Sequence, residues 1–236
     1  MLPPVTICII TYDRLPEIKL TIQRLREFFH YDGEIHWHLA DDDSPHGYVD
    51  AVTSEFNDIH FTITQGGRGG WGVNVNTALE FLRDREYVFL IEDDYVAKRP
   101  IDIMSGVAVL QNIHTLGAIR YDGIAAHALD LHLREVKTGI GNISYMEIDK
   151  ASPHLNVYSN RPHLRHRRFT ECYGKYPEHV SLGSTEEQFA HRVRDKVKCP
   201  GIAVLPDGVM VTFDHIGKSY QGSKHDMETV KSTAAS

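Results

Sequence analysis

Two acidic triplets in this 236-residue sequence have the types and spacing to do chemistry, Asp41-Asp42-Asp43 and Glu92-Asp93-Asp94. Each directly follows a short apolar run. Carboxylates crowded within a few ångströms raise one another's pKa and are costly unless something positive lies between them. A divalent cation is the simplest such partner, and the all-oxygen Glu92-Asp93-Asp94 set suits magnesium or manganese better than zinc. Such ions keep several waters and bind through one or two carboxylates together with substrate phosphates. The competing reading, that these acids only cap a helix or face solvent, loses weight because the second triplet ends the apolar run Val88-Phe89-Leu90-Ile91.

Other groups carry weaker signals. Arg68 lies in the run Gly66-Gly67-Arg68-Gly69-Gly70-Trp71-Gly72 before a helical stretch, and a cation in a glycine-rich turn at a helix N-terminus suits a phosphate. Arg161 to Arg168 holds four arginines. It reads either as a solvated charged loop or as a site for a diphosphate or an anionic acceptor. Fifteen histidines are mostly scattered without ligand spacing. Three cysteines, Cys8, Cys172 and Cys199, are too few and too far apart for a disulfide framework or a four-cysteine zinc site, so buried or incidental thiols are expected.

These groups must be positioned by the elements around them. Val5 to Ile10 is β-branched and apolar, as in a buried parallel strand. Pro16 opens a helical stretch with Ile18, Ile22, Leu25 and Phe29 on one face. A second strand covers Ile35 to Ala40, then a short helix carries Val49, Val52 and Phe56, and a strand runs from His60 to Thr64. Val75, Ala78, Leu79 and Leu82 stripe a further helix before the strand Tyr87 to Ile91. Alternation of this kind predicts a parallel sheet with helices on both faces, whose ligands bind beyond the carboxyl ends of the strands. Both triplets and Thr11-Tyr12-Asp13-Arg14 fall at such ends. In the second half, Leu129, Leu131, Leu133 and Val136 face Ile143 to Ile148 across Thr138 to Asn142, a hairpin pattern. Ser184 starts a helix with Phe189 and Val193 inward, and Ile202 to Leu205 and Val209 to Phe213 read as strands. The tail after His225 is polar and is expected to be loose.

Composition bounds the class. At 42% hydrophobic and 24% charged the chain is globular, and a single domain over 1–236 is expected, with nucleotide and acceptor halves at 1–100 and 101–225 and a flexible tail at 226–236. The apolar runs are far shorter than the roughly 20 residues of a membrane helix. The opening Met1-Leu2-Pro3-Pro4-Val5 enters a strand without a signal-like pattern, so a cytoplasmic protein is expected. A net charge of −7, from 25 Lys and Arg against 32 Asp and Glu, makes no general case for a nucleic-acid surface.

The order of these motifs resembles the family 2 glycosyltransferases, nucleotide-sugar enzymes of the GT-A fold. Val5 to Arg14 is similar to their opening strand. Leu39-Ala40-Asp41-Asp42-Asp43-Ser44 is similar to their Asp-Asp-Gly-Ser segment, with Asp43 in place of glycine. Gly66 to Asn76 is similar to their glycine-rich segment, and Phe89 to Asp94 stands where the metal-binding Asp-x-Asp motif belongs. There Glu92-Asp93-Asp94 looks more like the Glu-Asp-Asp form of N-acetylglucosaminyltransferase I, whose last acid is the metal ligand.

The resemblance implies an α/β, Rossmann-like GT-A fold with a small hairpin on the acceptor side, and a metal-dependent, inverting transfer from a nucleoside diphosphate sugar, most often a UDP-sugar, to an acceptor hydroxyl. Thr11, Tyr12, Arg14, Asp41, Asp42 and Arg68 would then bind the donor, with Asp93 near ribose, sugar or metal-bound water. Asp94 and His215 would hold Mn2+ or Mg2+, and Lys218 and Ser219 would reach the diphosphate. Glu186 or Glu187 would be the base, since Ser184-Thr185-Glu186-Glu187 resembles the acidic pair at a helix start in inverting enzymes. Ser184 and Glu187 also have capping-box spacing, which would leave Glu186 the freer acid. The acceptor, whether glycan, protein, lipid-linked or modified nucleic acid, and the oligomeric state stay open. A nucleotide-sugar-binding module without transfer activity is the alternative, and a nucleotidyltransferase a weaker one, because Thr11 to Leu15 lacks the glycine-rich loop of that class.

Overall fold

The computed structural model describes residues 1–121, 132–139, 143–152, 157–205 and 212–217. The first half alternates as its periodicity predicts, through β1 (Val5–Thr11), α1 (Leu15–Phe28), β2 (Ile35–Asp41), α2 (Tyr48–Glu55), β3 (Phe61–Gln65), α3 (Gly70–Phe81) and β4 (Tyr87–Glu92). β1 is buried at every position, which explains its lack of polar alternation. α1 carries Pro16 in its first turn, where the missing N–H costs nothing, and buries Ile18, Thr21, Ile22 and Leu25.

The chain continues through β5 (Tyr95–Ala97), α4 (Ile103–Asn112), β6 (Leu116–Arg120), β7 (Leu133–Lys137), β8 (Ser144–Ile148), β9 (His163–His166), α5 (Arg167–Tyr173), α6 (Leu182–Asp195), β10 (Gly201–Val204) and β11 (Phe213–His215). Among the described residues nine strands form one sheet in the order β3-β2-β1-β4-β9-β6-β10-β8-β7, and β5 with β11 makes a separate ribbon. β3, β2, β1 and β4 are mutually parallel. β9 lies antiparallel between β4 and β6.

Both faces are covered. α1, α2 and α4 pack Ile18, Ile22, Val52, Val107 and Leu110 against Ile7, Ile9 and Phe89. α3, α5 and α6 pack Val75, Leu79, Phe169, Phe189 and Val193 against Cys8, Ile10, Val88 and Leu90. The expected hairpin is the antiparallel pair β7-β8, with Leu133 opposite Ile148. Leu129, Leu131, the turn residues 140–142, Val209, Lys218, Ser219 and the tail lie outside the described residues. No helix among the described residues is long and apolar enough to cross a membrane.

Three expectations are corrected. The Arg161 to Arg168 stretch is no solvated loop, because it supplies a central strand and the start of α5. Arg165 is 1% exposed, and Arg168 donates through Nε to the Leu116 carbonyl at 2.7 Å and through Nη2 to the Leu110 carbonyl. Two of the four arginines are thus absorbed by the fold. Cys172 and Cys199 form a disulfide, with Cα atoms 5.7 Å apart, because α5 and the turn after α6 lie side by side despite 27 residues of separation. Cys8 is the buried thiol, and burial pushes its pKa up to about 12. Finally, Ser184 does not start α6. Ser181 is the N-cap, accepting from the Ser184 N–H at 3.2 Å, so the expected pairing of Ser184 with Glu187 is not the cap.

Asn76 ties α3 to the chain entering α6. Its Nδ2 donates to the Tyr176 carbonyl at 2.9 Å and to Glu178 Oε1 at 2.8 Å, and its Oδ1 accepts from the Tyr176 N–H at 2.8 Å. Asn76→Ala leaves two buried backbone groups unpaired, so a loss of about 2–3 kcal/mol is expected in urea unfolding with an unchanged slope. A loss below about 1 kcal/mol would show that this tie is dispensable.

Candidate active site

Register lines up the carboxyl ends of the parallel strands. Thr11 pairs with Asp41, Asp41 with Gln65, and Ile10 with Glu92. The ladder runs on past the strands, through Asp42 N–H to the Thr11 carbonyl and Asp93 N–H to the Ile10 carbonyl, both at 3.0 Å. The polar clusters are therefore held to one edge by main chain.

Asp93 and Asp94 are each 2% exposed. Asp93 Oδ2 accepts from Thr11 Oγ1 at 2.8 Å and from the Tyr12 N–H at 3.2 Å. Arg14 Nη1 lies 3.2 Å from Asp93 Oδ1 and also donates to Asp94 Oδ2. Burial raises the pKa of Asp93 to about 7 against the pull of Arg14. Glu92 is pushed well above the ordinary carboxylate range by burial and by Asp94, Asp93 and Glu186. Thr11 and Arg14, expected to face the nucleoside, thus hold the second triplet.

His215 arrives from the far end of the sequence. β11 pairs antiparallel with β5, placing His215 opposite Tyr95, where the two rings stack at 4.7 Å. Its Nε2 is 3.2 Å from Asp94 Oδ2. The Ile216 N–H donates to the Asp94 carbonyl at 2.9 Å. Gly217 passes so close that a Cβ there would stand 2.0 Å from Asp94 Oδ2, so only glycine fits.

A divalent ion fits this set. Asp94 Oδ1 is buried with no partner, while Oδ2 already faces His215. Among the described residues no three His, Cys, Asp or Glu side chains are gathered for a metal. Two protein ligands completed by phosphate oxygens and water is the usual arrangement for a hard ion that retains its waters.

The first triplet splits its work. Asp41 is buried and accepts from both the N–H and the hydroxyl of Ser44, which fixes the loop. Asp43 has φ 61°, the left-handed conformation that explains a glycine at this position in the resembling motif; Asp tolerates it. Asp42 Oδ2 accepts from the Gly70 N–H at 3.0 Å, and its Oδ1 is buried and unpartnered. Arg68 donates to the Tyr12 hydroxyl, with its guanidinium 5.5 Å from that ring.

The acidic pair on α6 is also separated. Glu186 Oε1 accepts from the Asn160 N–H at 2.9 Å, and it is near enough to Glu92 to raise its pKa. Glu187 is exposed. Sequence gave Asn160 no role, yet both of its side-chain amide atoms are buried without partners beside Glu186. Tyr48 was equally silent in sequence, though its hydroxyl bonds Thr11 Oγ1.

The geometry makes a pH prediction at Asp42. Burial raises its pKa from 3.8 to about 6. Between those values the folded protein binds more protons than the unfolded chain, so this group lowers stability as pH rises, and the cost is constant above about pH 6. Asp42→Asn, which still accepts from Gly70, is expected to raise the pH 7 melting temperature and flatten its dependence between pH 4 and 6. A lower melting temperature at pH 7 would contradict that account.

No curated protein matches the chain by sequence. Among solved structures it is similar to a mannosyltransferase from Pyrobaculum calidifontis in complex with GDP-Man and Mn2+, at 17% identity and a TM-score of 0.61, covering 86% of this chain and 57% of that one. It is also similar to residues 1–349 of S. aureus TarS in complex with UDP-GlcNAc, at 17% identity and a TM-score of 0.63, covering 98% and 65%. The chain therefore spans less than two thirds of either, and these likenesses show the fold. Residues 6–171, which contain β2, β3, β4, all of β1 after Val5 and both acidic triplets, match Glycosyl transferase family 2, and the chain belongs to that family.

Proposed function

We propose that this chain is a metal-dependent, inverting glycosyltransferase, acting as one domain, that moves a sugar from a nucleoside diphosphate sugar to an acceptor hydroxyl. The observation that carries the reading is the convergence of Asp94, His215 and Glu186 around the carboxyl end of β4. The GDP-Man and UDP-GlcNAc held by the two similar structures support a nucleotide-sugar donor, and the Mn2+ of the first supports a divalent ion. UDP-sugar is the donor class we assign.

Asp94 and His215 would hold Mn2+ or Mg2+, which when bound supplies positive charge to the leaving diphosphate. The remaining roles belong to the chain's own groups. Asp42 Oδ1, unpartnered and aligned with the strand ends, accepts from the nucleoside, and Asp41 holds the loop that presents it. Tyr12 and Arg68, already bonded to each other, flank the donor. Arg14 and Thr11 orient Asp93, whose raised pKa suits a group that hydrogen-bonds the ribose or sugar. Glu186 takes the acceptor's proton as the acceptor oxygen bonds to the anomeric carbon and the bond to the diphosphate breaks. One displacement inverts the anomeric centre.

The exposed Glu187 is not the base in this reading. Glu186→Gln is expected to lower turnover about 10²- to 10⁴-fold with donor affinity retained, and Glu187→Gln to leave turnover within a few-fold. Asp94→Ala should abolish manganese-stimulated transfer or donor hydrolysis, and NMR of the product should show the inverted anomer. Full turnover by Glu186→Gln, or a retained anomer, would overturn the assignment.

A cytoplasmic location belongs to the same proposal, and the Cys172–Cys199 bond tests it. Disulfides persist in oxidising compartments, so rapid alkylation in acid-quenched cells should trap both as thiols if the protein works in the cytosol. A bonded pair would move it elsewhere.

A further inference from the structure

A second polar site lies at the opposite edge of the sheet, beyond the amino end of β4. There α3, α5 and the paired residues Val88 and Arg165 enclose a cleft of about 170 Å³. Its lining includes Arg83, Arg85, Arg165, Arg167 and Lys175, with Glu80 and Glu171 as the acids. Both acids are spent locally. Glu80 lies 3.2 Å from Arg83 and Glu171 3.3 Å from Arg167. Arg85, Arg165 and Lys175 have no carboxylate partner among the described residues.

Arg165 makes this more than a charged surface. Its side chain is among the largest fully buried ones, and a buried charge is costly unless it is paired. The guanidinium lies 5.0 Å from the Phe169 ring and 5.8 Å from that of Tyr176, and Nη1 donates to the Tyr176 hydroxyl at 3.0 Å. Nε and Nη2 are buried with no partner. Those two N–H groups form one edge of the guanidinium, the parallel pair that binds two oxygens of a single carboxylate or phosphate. Stacking on rings supplies attraction to the face of the cation but no acceptor for that edge.

We propose that this cleft is an anion site for a phosphate group, bound through the free edge of Arg165 with Arg85 and Lys175 supplying further charge. A tetrahedral oxyanion offers the pair of acceptors that these two donors lack, and the cleft that Arg165 lines, at about 170 Å³, has room for a phosphate. The site is separate from the donor edge, to which it contributes no residue.

Calorimetric titration with orthophosphate, at ionic strength matched with chloride, tests this on the intact protein and on Asp94→Ala, which disables the donor edge. Saturable binding is expected in both, with a rise of several degrees in melting temperature. Arg165→Met should lose binding, but it also alters the core. The double variant Arg85→Gln/Lys175→Gln, on the cleft's outer lining, is therefore the decisive one, and at least about tenfold weaker binding is expected. Glycerol phosphate forms a parallel arm. Binding of both ligands identifies an esterified phosphate as acceptable, and binding of orthophosphate alone identifies the free ion. No binding in the intact protein, loss of binding in Asp94→Ala alone, or unchanged affinity in the double variant would overturn the proposal.

Discussion

Three carboxyl groups at the end of a buried strand are the constraint on which the rest of the structure depends. Glu92, Asp93 and Asp94 follow four apolar residues of β4, and burial and mutual repulsion oppose their ionisation. The chain answers them with groups of its own. Arg14 reaches both Asp93 and Asp94, Thr11 and the Tyr12 N–H bond Asp93, and Thr21 Oγ1 donates to the Asp93 carbonyl at 2.7 Å. All of these come from the end of β1, the loop after it and the first half of α1. The first crossover therefore covers the sheet and also carries the groups that make the acidic turn tolerable.

The same constraint explains two long-range elements. The β5-β11 ribbon is short, yet it brings His215 from 121 residues away to Asp94. Gly217 lets the backbone press against that carboxylate. On the other side, α6 begins at a Ser181 cap and carries Glu186, which accepts from the Asn160 N–H and whose charge is felt at Glu92. Asn76 and Tyr176 anchor the segment that leads into α6. Each distant group is thus fixed by hydrogen bonds of the fold before any ligand arrives, as preorganised electrostatics requires.

Much of the first half was legible in sequence because its strands are continuous apolar runs and its helices carry one apolar stripe. The turn at Asp43 became readable only in the structure, where the residue that replaces a glycine adopts the positive φ that the glycine would supply. The second half was less readable for identifiable reasons. β9 is His-Leu-Arg-His, with only Leu164 apolar, and its burial of Arg165 rests on aromatic rings contributed by α5 and by Tyr176. No periodicity reveals such a strand. The elements from β5 to β6 lacked a recognised motif, and Cys172 with Cys199 became neighbours only through the packing of α5 beside the turn after α6. At the acidic pair, spacing offered Ser184 and Glu187 as a cap. Ser181 had the same side-chain chemistry three residues earlier, and the backbone chose it.

The arrangement also changes what the net charge of −7 means. One edge of the sheet concentrates Asp42, Glu92, Asp93, Asp94 and Glu186, and the opposite edge concentrates Arg85, Arg165 and Lys175. These are local excesses of opposite sign across the sheet, and a whole-chain sum averages them away. Salt screens buried charges much less than exposed ones, and Tyr158 feels both Arg165 and Glu186, so the two edges are separate in place but share one interior. The acidic edge leaves Asp94 Oδ1 buried without a partner, and at the basic cleft Nε and Nη2 of Arg165 are buried without one. Both are buried groups whose partners the described residues do not fully supply.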